Sequence, residues 1–347
     1  MLKLIGKLLG FGPPRVGPVA SGEPFENGLA AYQRGDYETA TKTFQSLAER
    51  GFADAQGMLG AMYLKGQGVA QDYKEAANWL RKAAEQGEAG AQNILGSMYC
   101  YGEGVAQDHE EAVRWFKKAA ELGHAEAEYN LGVLYRNGQG VARDYKEAAK
   151  WFRLAAEQGR ANAQNNLGVM YRNGEGFAQD HKVAAKWFRQ AAEQGDANAQ
   201  TSLGRMYDKG QGVVQDNKEA VKWYRLAATQ GFADSQFNLG VMYYEGRGVA
   251  QDYKESVKWY RLASEQRHAS AQSNLGVMYA TGRGVARDYI RAHMWFDIAT
   301  ESSSGDESKA AADGRNLAAT KLSMAQIAQA REMARKCQQS RFTDCGW

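Results

Sequence analysis

The pattern of apolar and polar residues repeats along most of the chain, and a single unit of it predicts two amphipathic helices. Ala55, Leu59 and Met62 recur at steps of four and three, so they share one face of a helix predicted over residues 53–65. A second helix is predicted over residues 73–86, with one large aromatic side chain among smaller apolar ones. Its apolar stripe consists of Ala76, Trp79, Leu80, Ala83 and Ala84. One unit is therefore predicted to be a helical hairpin.

Glycines and acidic residues mark the ends of these helices. Gly60 lies in mid-helix, where glycine costs up to about 1 kcal/mol relative to alanine, so we expect a neighbouring helix to cross there with no room for a Cβ. Gly66 and Gly68 end the helix, and Gly66 is expected to form a left-handed C-cap. Asp72 and Glu75 have the spacing of a capping box. The same acidic pair recurs at Asp108/Glu111, Asp144/Glu147, Asp216/Glu219 and Asp252/Glu255, and it is lost at Val183 and Arg291.

All of these features recur every 36 residues. Tryptophans stand at positions 79, 115, 151, 187, 223, 259 and 295, and the Leu-Gly and Gly-x-Gly motifs keep the same step. A period between 20 and 50 residues indicates a repeat array. Seven units span residues 51–302, and neighbours must stack because one hairpin cannot cover its own apolar face. We predict an all-α fold in which each tryptophan is buried, so that its removal costs about 3–5 kcal/mol.

The repeated motif resembles that of the Sel-one-like repeat family, which is related to the tetratricopeptide repeat. The resemblance rests on A-x-A-Q-x-x-L-G-x-M-Y-x-x-G-x-G-V-x-x-D-x-x-x-A-x-x-W-x-x-x-A-A over residues 53–84, and it recurs seven times over about three quarters of the chain. It implies a right-handed α-solenoid superhelix of stacked antiparallel helix pairs that serves as an adaptor for protein complexes in bacteria. The cysteine-rich branch of the family has two cysteines in each repeat, which this sequence lacks.

The segments outside the repeats are predicted to cap the array. Residues 25–50 have the pattern of one more helix pair of tetratricopeptide type without the Gly-x-Gly loop. Residues 303–347 are predicted to form closing helices and a tail, with Ser323 and Gln326 as a capping box. Residues 1–24 are predicted to be a flexible tail and linker. As an alternative, residues 1–11 form a short amphipathic helix at a membrane surface.

Composition and charge exclude several classes of protein. The chain has 347 residues, of which 44% are hydrophobic and 24% charged, as in ordinary globular proteins. Its net charge of +3 gives no case for nucleic-acid binding. No apolar run reaches the roughly 18 residues that a spanning helix needs.

The three cysteines leave two interpretations of the C-terminus open. Cys337 and Cys345 are either unrelated free thiols or, if the last helix stops near Gln339, the two ends of a disulfide. A disulfide would imply an oxidising compartment such as the periplasm. The absence of a clean signal peptide slightly favours the cytoplasm or its membrane face.

No residue set has the pattern of an active site, so the chain is predicted not to be an enzyme and to need no cofactor. The Gly-x-Gly loops follow helices rather than strands and lack a following lysine, so they indicate turns rather than phosphate loops. The histidines form no metal-ligand motif. The repeated carboxylates have the positions of helix caps and solvated faces.

The variable positions of the first helices are the candidate site. With residue 51 counted as the first of its repeat, positions 4, 7, 11, 14 and 15 share one helical face, expected to line the concave side of the stack. Arginines and asparagines suited to a carboxylate or a peptide backbone occupy the middle repeats, flanked by aromatics. These predicted binding residues are Tyr129, Arg136, Asn137, Arg172, Asn173, Arg205, Phe237 and Tyr244. The alternative interpretation is that they are unconstrained solvated positions.

Three functions are compatible with this pattern. The first is a non-enzymatic scaffold that binds a protein or peptide, with an acidic or C-terminal segment favoured. The second is an envelope protein that contacts peptidoglycan or polysaccharide through exposed aromatics. The third is a hydrolase on the same scaffold, for which the variable columns show no convergent cluster of titratable groups.

One further column is expected to form hydrogen bonds between repeats rather than with a ligand. It consists of Asn130, Asn166, Asn238 and Asn274.

Overall fold

The computed structural model describes residues 23–342 together with Asp344 and Cys345. In this part of the chain there are eighteen helices and no strand, so the predicted all-α fold is confirmed. The predictions for the tail before residue 23, including the membrane-surface segment 1–11, lie outside the described residues.

The helices follow the predicted hairpin pattern along the chain. They are α1 Glu23–Gln33, α2 Tyr37–Glu49, α3 Ala53–Lys65, α4 Tyr73–Glu85, α5 Ala89–Tyr101, α6 His109–Glu121, α7 Ala125–Asn137, α8 Tyr145–Glu157, α9 Ala161–Asn173, α10 His181–Glu193, α11 Ala197–Lys209, α12 Asn217–Thr229, α13 Ala233–Glu245, α14 Tyr253–Glu265, α15 Ala269–Thr281, α16 Tyr289–Ser302, α17 Gly305–Ala319 and α18 Met324–Gln339. Helices α3 to α16 thus form seven pairs, each with a first and a second helix.

The chain divides into two compact units, an N-terminal unit that ends at Gln179 and a C-terminal unit that begins at Asp180. Within each unit consecutive helices pack against one another. The helix pairs within each unit therefore stack as an all-α solenoid. Helix α4, for example, packs against α3 of its own pair and against α5 of the next pair.

The acidic N-caps form as predicted, but the full capping box does not. Asp72 Oδ1 accepts hydrogen bonds from the backbone N–H groups of Lys74 and Glu75, at 2.9 and 3.0 Å. The reciprocal bond, in which the acidic side chain would accept from the N-cap N–H, does not form in these helices, because that N–H donates to a carbonyl of the preceding helix, as Asp144 does to Tyr135 at 2.9 Å. The acidic side chain pairs with a lysine instead, as Glu147 does with Lys150 at 3.4 Å. Among the described helices, the complete box forms at the start of α18.

The mid-helix glycines mark close helix crossings, as expected for Gly60. A Cβ added at Gly60 would lie 2.7 Å from Leu80, and one added at Gly132 would lie 2.7 Å from the Phe152 ring. The same contact recurs in other pairs: Gly96–Phe116, Gly204–Tyr224, Gly240–Tyr260 and Gly276–Phe296. The residue that fills the crossing is thus the one after the repeat tryptophan, and not the tryptophan itself.

The burial of the repeat tryptophans varies, whereas uniform burial was expected, and Trp295 is fully buried. Trp115 and Trp151 keep 8% and 7% of their surface exposed, whereas Trp79 and Trp187 are only half-buried. The indole N–H of Trp151 has no hydrogen-bond partner among the described residues, and Lys82 Nζ lies 4.0 Å from the Trp79 ring centroid. Because the Trp79 ring is partly exposed, the lysine can cover it and contribute a cation–π interaction.

The second glycine of each Gly-x-Gly loop marks a contact between repeats. Gly140 has φ +70°, and a Cβ added there would overlap the backbone carbonyl of His109 at the start of α6. Gly248 has the same relation to the carbonyl of Asn217 in the C-terminal unit. These glycines therefore serve the turn, as predicted, and also let the loop reach the preceding pair.

The glutamine of the A-x-A-Q motif also joins neighbouring pairs. Gln56 Nε2 donates to the carbonyl of Ala48 at 3.1 Å, and Gln200 donates to that of Ala192 at 3.1 Å. These side chains are buried and satisfy carbonyls at the C-terminal ends of the preceding second helices.

The C-terminal tail folds back on α18 and is closed by a disulfide. Helix α18 ends at Gln339, and Cys337 is bonded to Cys345. Phe342 is buried within this loop, and the Arg267 guanidinium lies 5.6 Å from its ring centroid. The sequence left open whether Cys337 and Cys345 are free thiols or form a disulfide, and in the structure they form the disulfide.

Candidate functional site

The fourteenth residue of a repeat contacts the middle residue of the Gly-x-Gly loop in the next repeat. This column belongs to the face predicted for ligand contact, and its partners are 39 residues apart in each case. We call these contacts the cross-repeat pairs, namely Arg136–Glu175, Asp208–Arg247 and Tyr244–Arg283. The column therefore joins repeats as well as facing outward.

The Arg136 side chain is held by a carboxylate of its own chain. Its Nε lies 2.9 Å from Oε2 of Glu175, and its Nη1 donates to Oδ1 of Asn166 at 3.0 Å. Asn173 Nδ2 donates to the same carboxylate at 2.7 Å. Although burial opposes it, these bonds from Arg136 and Asn173 hold the pKa of Glu175 below its usual value. Two residues predicted to bind an acidic partner thus converge on an internal carboxylate.

A polar cavity of about 470 Å³ opens beside this pair in the N-terminal unit. It is lined by two arginines, one carboxylate, one amide and one aromatic ring, which are Arg136, Arg143, Glu175, Asn137 and Tyr145. The Arg143 guanidinium lies 5.5 Å from the Tyr145 ring centroid. Two guanidinium groups face one carboxylate, so the cavity carries an excess of positive charge.

The other predicted residues of the N-terminal unit are Arg172 and Tyr129. Arg172 Nε donates to Asn173 Oδ1 at 3.3 Å. The Tyr129 ring is half-buried, with its centroid 5.7 Å from that of Phe152, so it packs against the core of its own repeat. Tyr129 is therefore less available to a partner than its column suggested.

Three predicted residues lie in the C-terminal unit. Arg205 is exposed on α11. The Phe237 ring stacks on His268, with centroids 4.6 Å apart, and the Tyr244 ring lies 5.3 Å from that of Tyr253. Phe237 thus contacts the next repeat, whereas Tyr244 contacts Tyr253 of its own repeat, and both keep part of their surface exposed.

The sequence did not identify the loop residues that complete the cross-repeat pairs. Glu175, Arg247 and Arg283 occupy one position, between the two glycines of the loop. The available signal is the complementary charge 39 residues apart, acidic against Arg136 and basic against Asp208. That distance has a meaning only once the stacking of the repeats is known.

A second column joins the N-terminal ends of the first helices. Arg160 forms an ion pair with Glu126, 34 residues earlier. The corresponding residues in the preceding repeats are both acidic, Asp54 and Glu88. Burial raises the pKa of Glu88 to about 7, and the charge of Asp54 adds to the shift, against the hydrogen bonds from the Gly90 and Ala91 backbone.

Glu88 is expected to make stability depend on pH. Because its pKa is raised on folding from about 4.5 to about 7, its contribution is complete below pH 4.5 and is lost as the pH rises through 7. Glu88→Gln removes the titration. As the pH rises from 4.5 to 7, the urea midpoint of the wild type should therefore fall relative to that of the variant. The measurement is urea unfolding of both proteins across this range. Parallel profiles would assign the titration to another group.

Neither a metal cluster nor a membrane-spanning helix is found among the described residues. They contain no group of three or more histidine, cysteine, aspartate or glutamate side chains that could hold a metal ion. None of the helices in the described part is both long enough and apolar enough to cross a membrane.

Comparison with known proteins gives a consistent result. The family model described as "Sel1 repeat" matches residues 53–88, 89–124, 125–159, 161–196, 197–232, 233–268 and 269–304. The chain is similar to a Sel1 repeat protein from Oxalobacter formigenes, at 37% identity over 70% of this chain and 99% of that one, with a TM-score of 0.64. No protein with a curated description matches the chain.

Two further solved structures show weaker likenesses. One is a protective antigen present in uropathogenic Escherichia coli strains that displays an SLR fold, at 30% identity over 92% of this chain and 85% of that one, with a TM-score of 0.46. The other is an immunity protein from Pseudomonas aeruginosa, at 20% identity over 64% of this chain and 83% of that one, with a TM-score of 0.38.

Proposed function

The chain belongs to the Sel1 repeat family, and on that basis we propose that it binds a segment of another protein on the exposed face of its first helices. Proteins of this family are generally non-catalytic scaffolds that mediate protein–protein interactions. The observation that carries the proposal is the polar cavity at Arg136, in which the Glu175 carboxylate already lies against the guanidinium. The chain itself thus provides an example of the group that this cavity accommodates.

The proposed ligand of this cavity is an acidic side chain or a terminal carboxylate of the partner. Arg143 supplies a guanidinium beside the Arg136–Glu175 pair, and Asn137 and Asn173 supply amide donors nearby. An arginine fork binds carboxylates through charge-assisted hydrogen bonds, each contributing about 1.5–3 kcal/mol. An incoming carboxylate competes with Glu175 for Arg136, so Glu175 lowers the affinity of the cavity.

The test uses a fluorescein-labelled peptide of alternating Glu and Ser, with a Gln–Ser peptide as the neutral reference. Fluorescence anisotropy with the full chain should show tighter binding of the acidic peptide. Glu175→Gln should raise its affinity about fivefold or more, because the internal competitor is removed. The Arg136→Glu, Arg172→Glu double variant should lower it at least about tenfold.

A matched control separates this site from general charge attraction. Lys117 is exposed on the second helix α6, so Lys117→Glu changes the charge away from the cavity. This variant should bind the acidic peptide like the wild type. If the lysine variant weakens binding as much as an Arg136→Glu single variant does, or if Glu175→Gln has no effect, the cavity is not the binding site.

A single observation favours the second candidate, an envelope protein that contacts peptidoglycan or polysaccharide. The Cys337–Cys345 disulfide is of the kind that persists in oxidising compartments. Mass spectrometry of the protein purified natively under thiol-blocking conditions should find these two cysteines bonded and Cys100 blocked. Two blocked thiols at Cys337 and Cys345 would count against export and leave the scaffold hypothesis unchanged.

A further inference from the structure

The three cross-repeat pairs differ in their charge balance. In the first two, each arginine faces a carboxylate, which is Glu175 for Arg136 and Asp208 for Arg247. In the third, the Arg283 guanidinium donates to the Tyr244 hydroxyl, and no carboxylate among the described residues forms an ion pair with it. Arg283 is exposed and has five N–H donors, so most of its hydrogen-bonding capacity is available to a ligand.

Aromatic rings hold this uncompensated cation in place. The Arg283 guanidinium carbon lies 5.5 Å from the ring centroid of Tyr244 and 5.5 Å from that of Tyr253. The two rings are themselves in edge contact, at 5.3 Å. The side chain is therefore positioned before any ligand arrives, which reduces the entropy lost on binding.

Beside Tyr244 lies a cavity of about 210 Å³ between α13 and α15, inside the C-terminal unit. Its walls are mainly aliphatic and aromatic, and its principal lining residues are Val241, Tyr244, Tyr260, Asn274, Val277 and Met278. Burial raises the pKa of the Tyr260 hydroxyl to about 12, against hydrogen bonding from Asn274, as expected for a wall of low polarity. A cavity of about 150 Å³ is enough to accept benzene, so this one accommodates a single leucine- or phenylalanine-sized side chain.

We propose that this cavity binds the C-terminal residue of a partner protein, with its apolar side chain in the cavity and its α-carboxylate on Arg283. The proposal rests on the proposed function and places a second subsite in the C-terminal unit, beside Tyr244, which has the repeat position that Arg136 has in the N-terminal unit. Tyr244 belongs to both halves of the subsite, since it lines the cavity and contacts Arg283. The two groups of the ligand must therefore lie close together, as do the side chain and carboxylate of a terminal residue, which share one Cα.

The charge at the rim favours a single terminal carboxylate over an acidic segment. Glu245 lines the same cavity and is paired with Arg247. Arg247 is thus held by Glu245 and Asp208, and Arg283 is left to bind one carboxylate rather than several. The selected ligand is thus a neutral, flexible segment that ends in a large apolar residue, which differs from the ligand of the Arg136 cavity.

The experiment measures fluorescence anisotropy of labelled Gly-Ser-Gly-Ser-Gly-Leu with the full chain. The same peptide with a C-terminal amide tests the carboxylate, and one that ends in glycine tests the cavity. We expect the free acid to bind at least about tenfold more tightly than either. Arg283→Gln should lower the affinity for the acid about tenfold and leave that for the amide unchanged. Arg287→Gln, an exposed arginine of the same loop, should change neither.

A second variant tests the cavity separately from the charge. Val277→Phe places a larger side chain in the cavity. It should lower the affinity for the peptide that ends in leucine to that for the peptide that ends in glycine. Circular dichroism melting of both variants shows whether the fold is kept. Equal binding of acid and amide, or an equal effect of Arg283→Gln on both, overturns the proposal.

The two sets of variants distinguish failure of this subsite from failure of the proposed binding at the Arg136 cavity. Binding of the leucine free-acid peptide that depends on Arg283, together with binding of the Glu–Ser peptide that is unchanged by Glu175→Gln and by Arg136→Glu, supports the terminal-residue subsite and rejects the polar cavity. The opposite outcome, dependence on Arg136 with no effect of Arg283→Gln, keeps the proposed function and rejects this subsite.

Discussion

Phe152→Ala is expected to destabilise the N-terminal unit by about 3–5 kcal/mol. Phe152 is fully buried and fills the crossing of α7 and α8, where it lies against Gly132. Truncation leaves a cavity between two helices that cannot close, because each is also held by its other neighbour. Urea unfolding followed by circular dichroism measures the loss.

A double-mutant cycle with Gly132→Ala tests the stated cause. In the wild type the added Cβ would lie 2.7 Å from the Phe152 ring, so overpacking should cost about 1–3 kcal/mol. In the Phe152→Ala background the ring is gone. The same change should then stabilise the helix by about 0.5–1 kcal/mol, the ordinary advantage of alanine over glycine. An effect of Gly132→Ala with the same sign in both backgrounds would show that the crossing does not exclude a Cβ.

Gly140→Ala is expected to destabilise the N-terminal unit by about 2–5 kcal/mol. The left-handed backbone at φ +70° costs an alanine about 1–2 kcal/mol, and the overlap of its Cβ with the His109 carbonyl adds about 1–3 kcal/mol. Backbone cannot move aside as a flexible side chain can. The loop must therefore lift from α6, which weakens the contact between two repeats.

Gly123 provides a matched control in the same unit. It also has a left-handed backbone, at φ +77°, but nothing lies within 4 Å of a Cβ added there. Gly123→Ala should therefore cost only about 1–2 kcal/mol. The seventh repeat supports this, since Arg267 occupies the corresponding position with φ 65°. If Gly140→Ala and Gly123→Ala are equally destabilising, Gly140 is needed only for its left-handed turn and not for the contact with the preceding repeat.

The helices were predictable because their signals are local. Asp72 caps α4, Gly66 ends α3 in the left-handed conformation, and the stripe at Ala55, Leu59 and Met62 is buried. Each of these depends on residues within about one helical turn, so a single repeat carries the information. The glycine at position 60 also indicated a close crossing before its partner was known.

The choice between neighbouring apolar positions was not predictable. Trp151 and Phe152 both lie on the broad apolar stripe of α8, and side-chain size favoured the tryptophan as the buried anchor. The angle at which α7 crosses decides which of them meets Gly132, and that angle is a property of the packed pair. Both side chains are buried, but Phe152 has no exposed surface and fills the crossing, whereas Trp151 keeps 7% of its surface exposed.

The candidate site shows the same division. Arg136 and Tyr244 occupy the same position on two first helices, and their partners Glu175 and Arg283 are 39 residues away. A pairing over that distance follows from the rise and rotation between repeats, which no single repeat encodes. Whether a side chain on this face is committed to its neighbour or available to a ligand was therefore settled only by stacking.

By itself the sequence determined the repeat, the two helices within it, their caps and the glycines at which chains approach closely, because these depend on contacts between near neighbours in the chain. Only the tertiary structure decided that Phe152 rather than Trp151 fills a crossing, that Glu175 neutralises Arg136, and that Arg283 has no carboxylate partner among the described residues. These outcomes depend on the geometry between elements, where a shift of one helical position exchanges a buried contact for an exposed one.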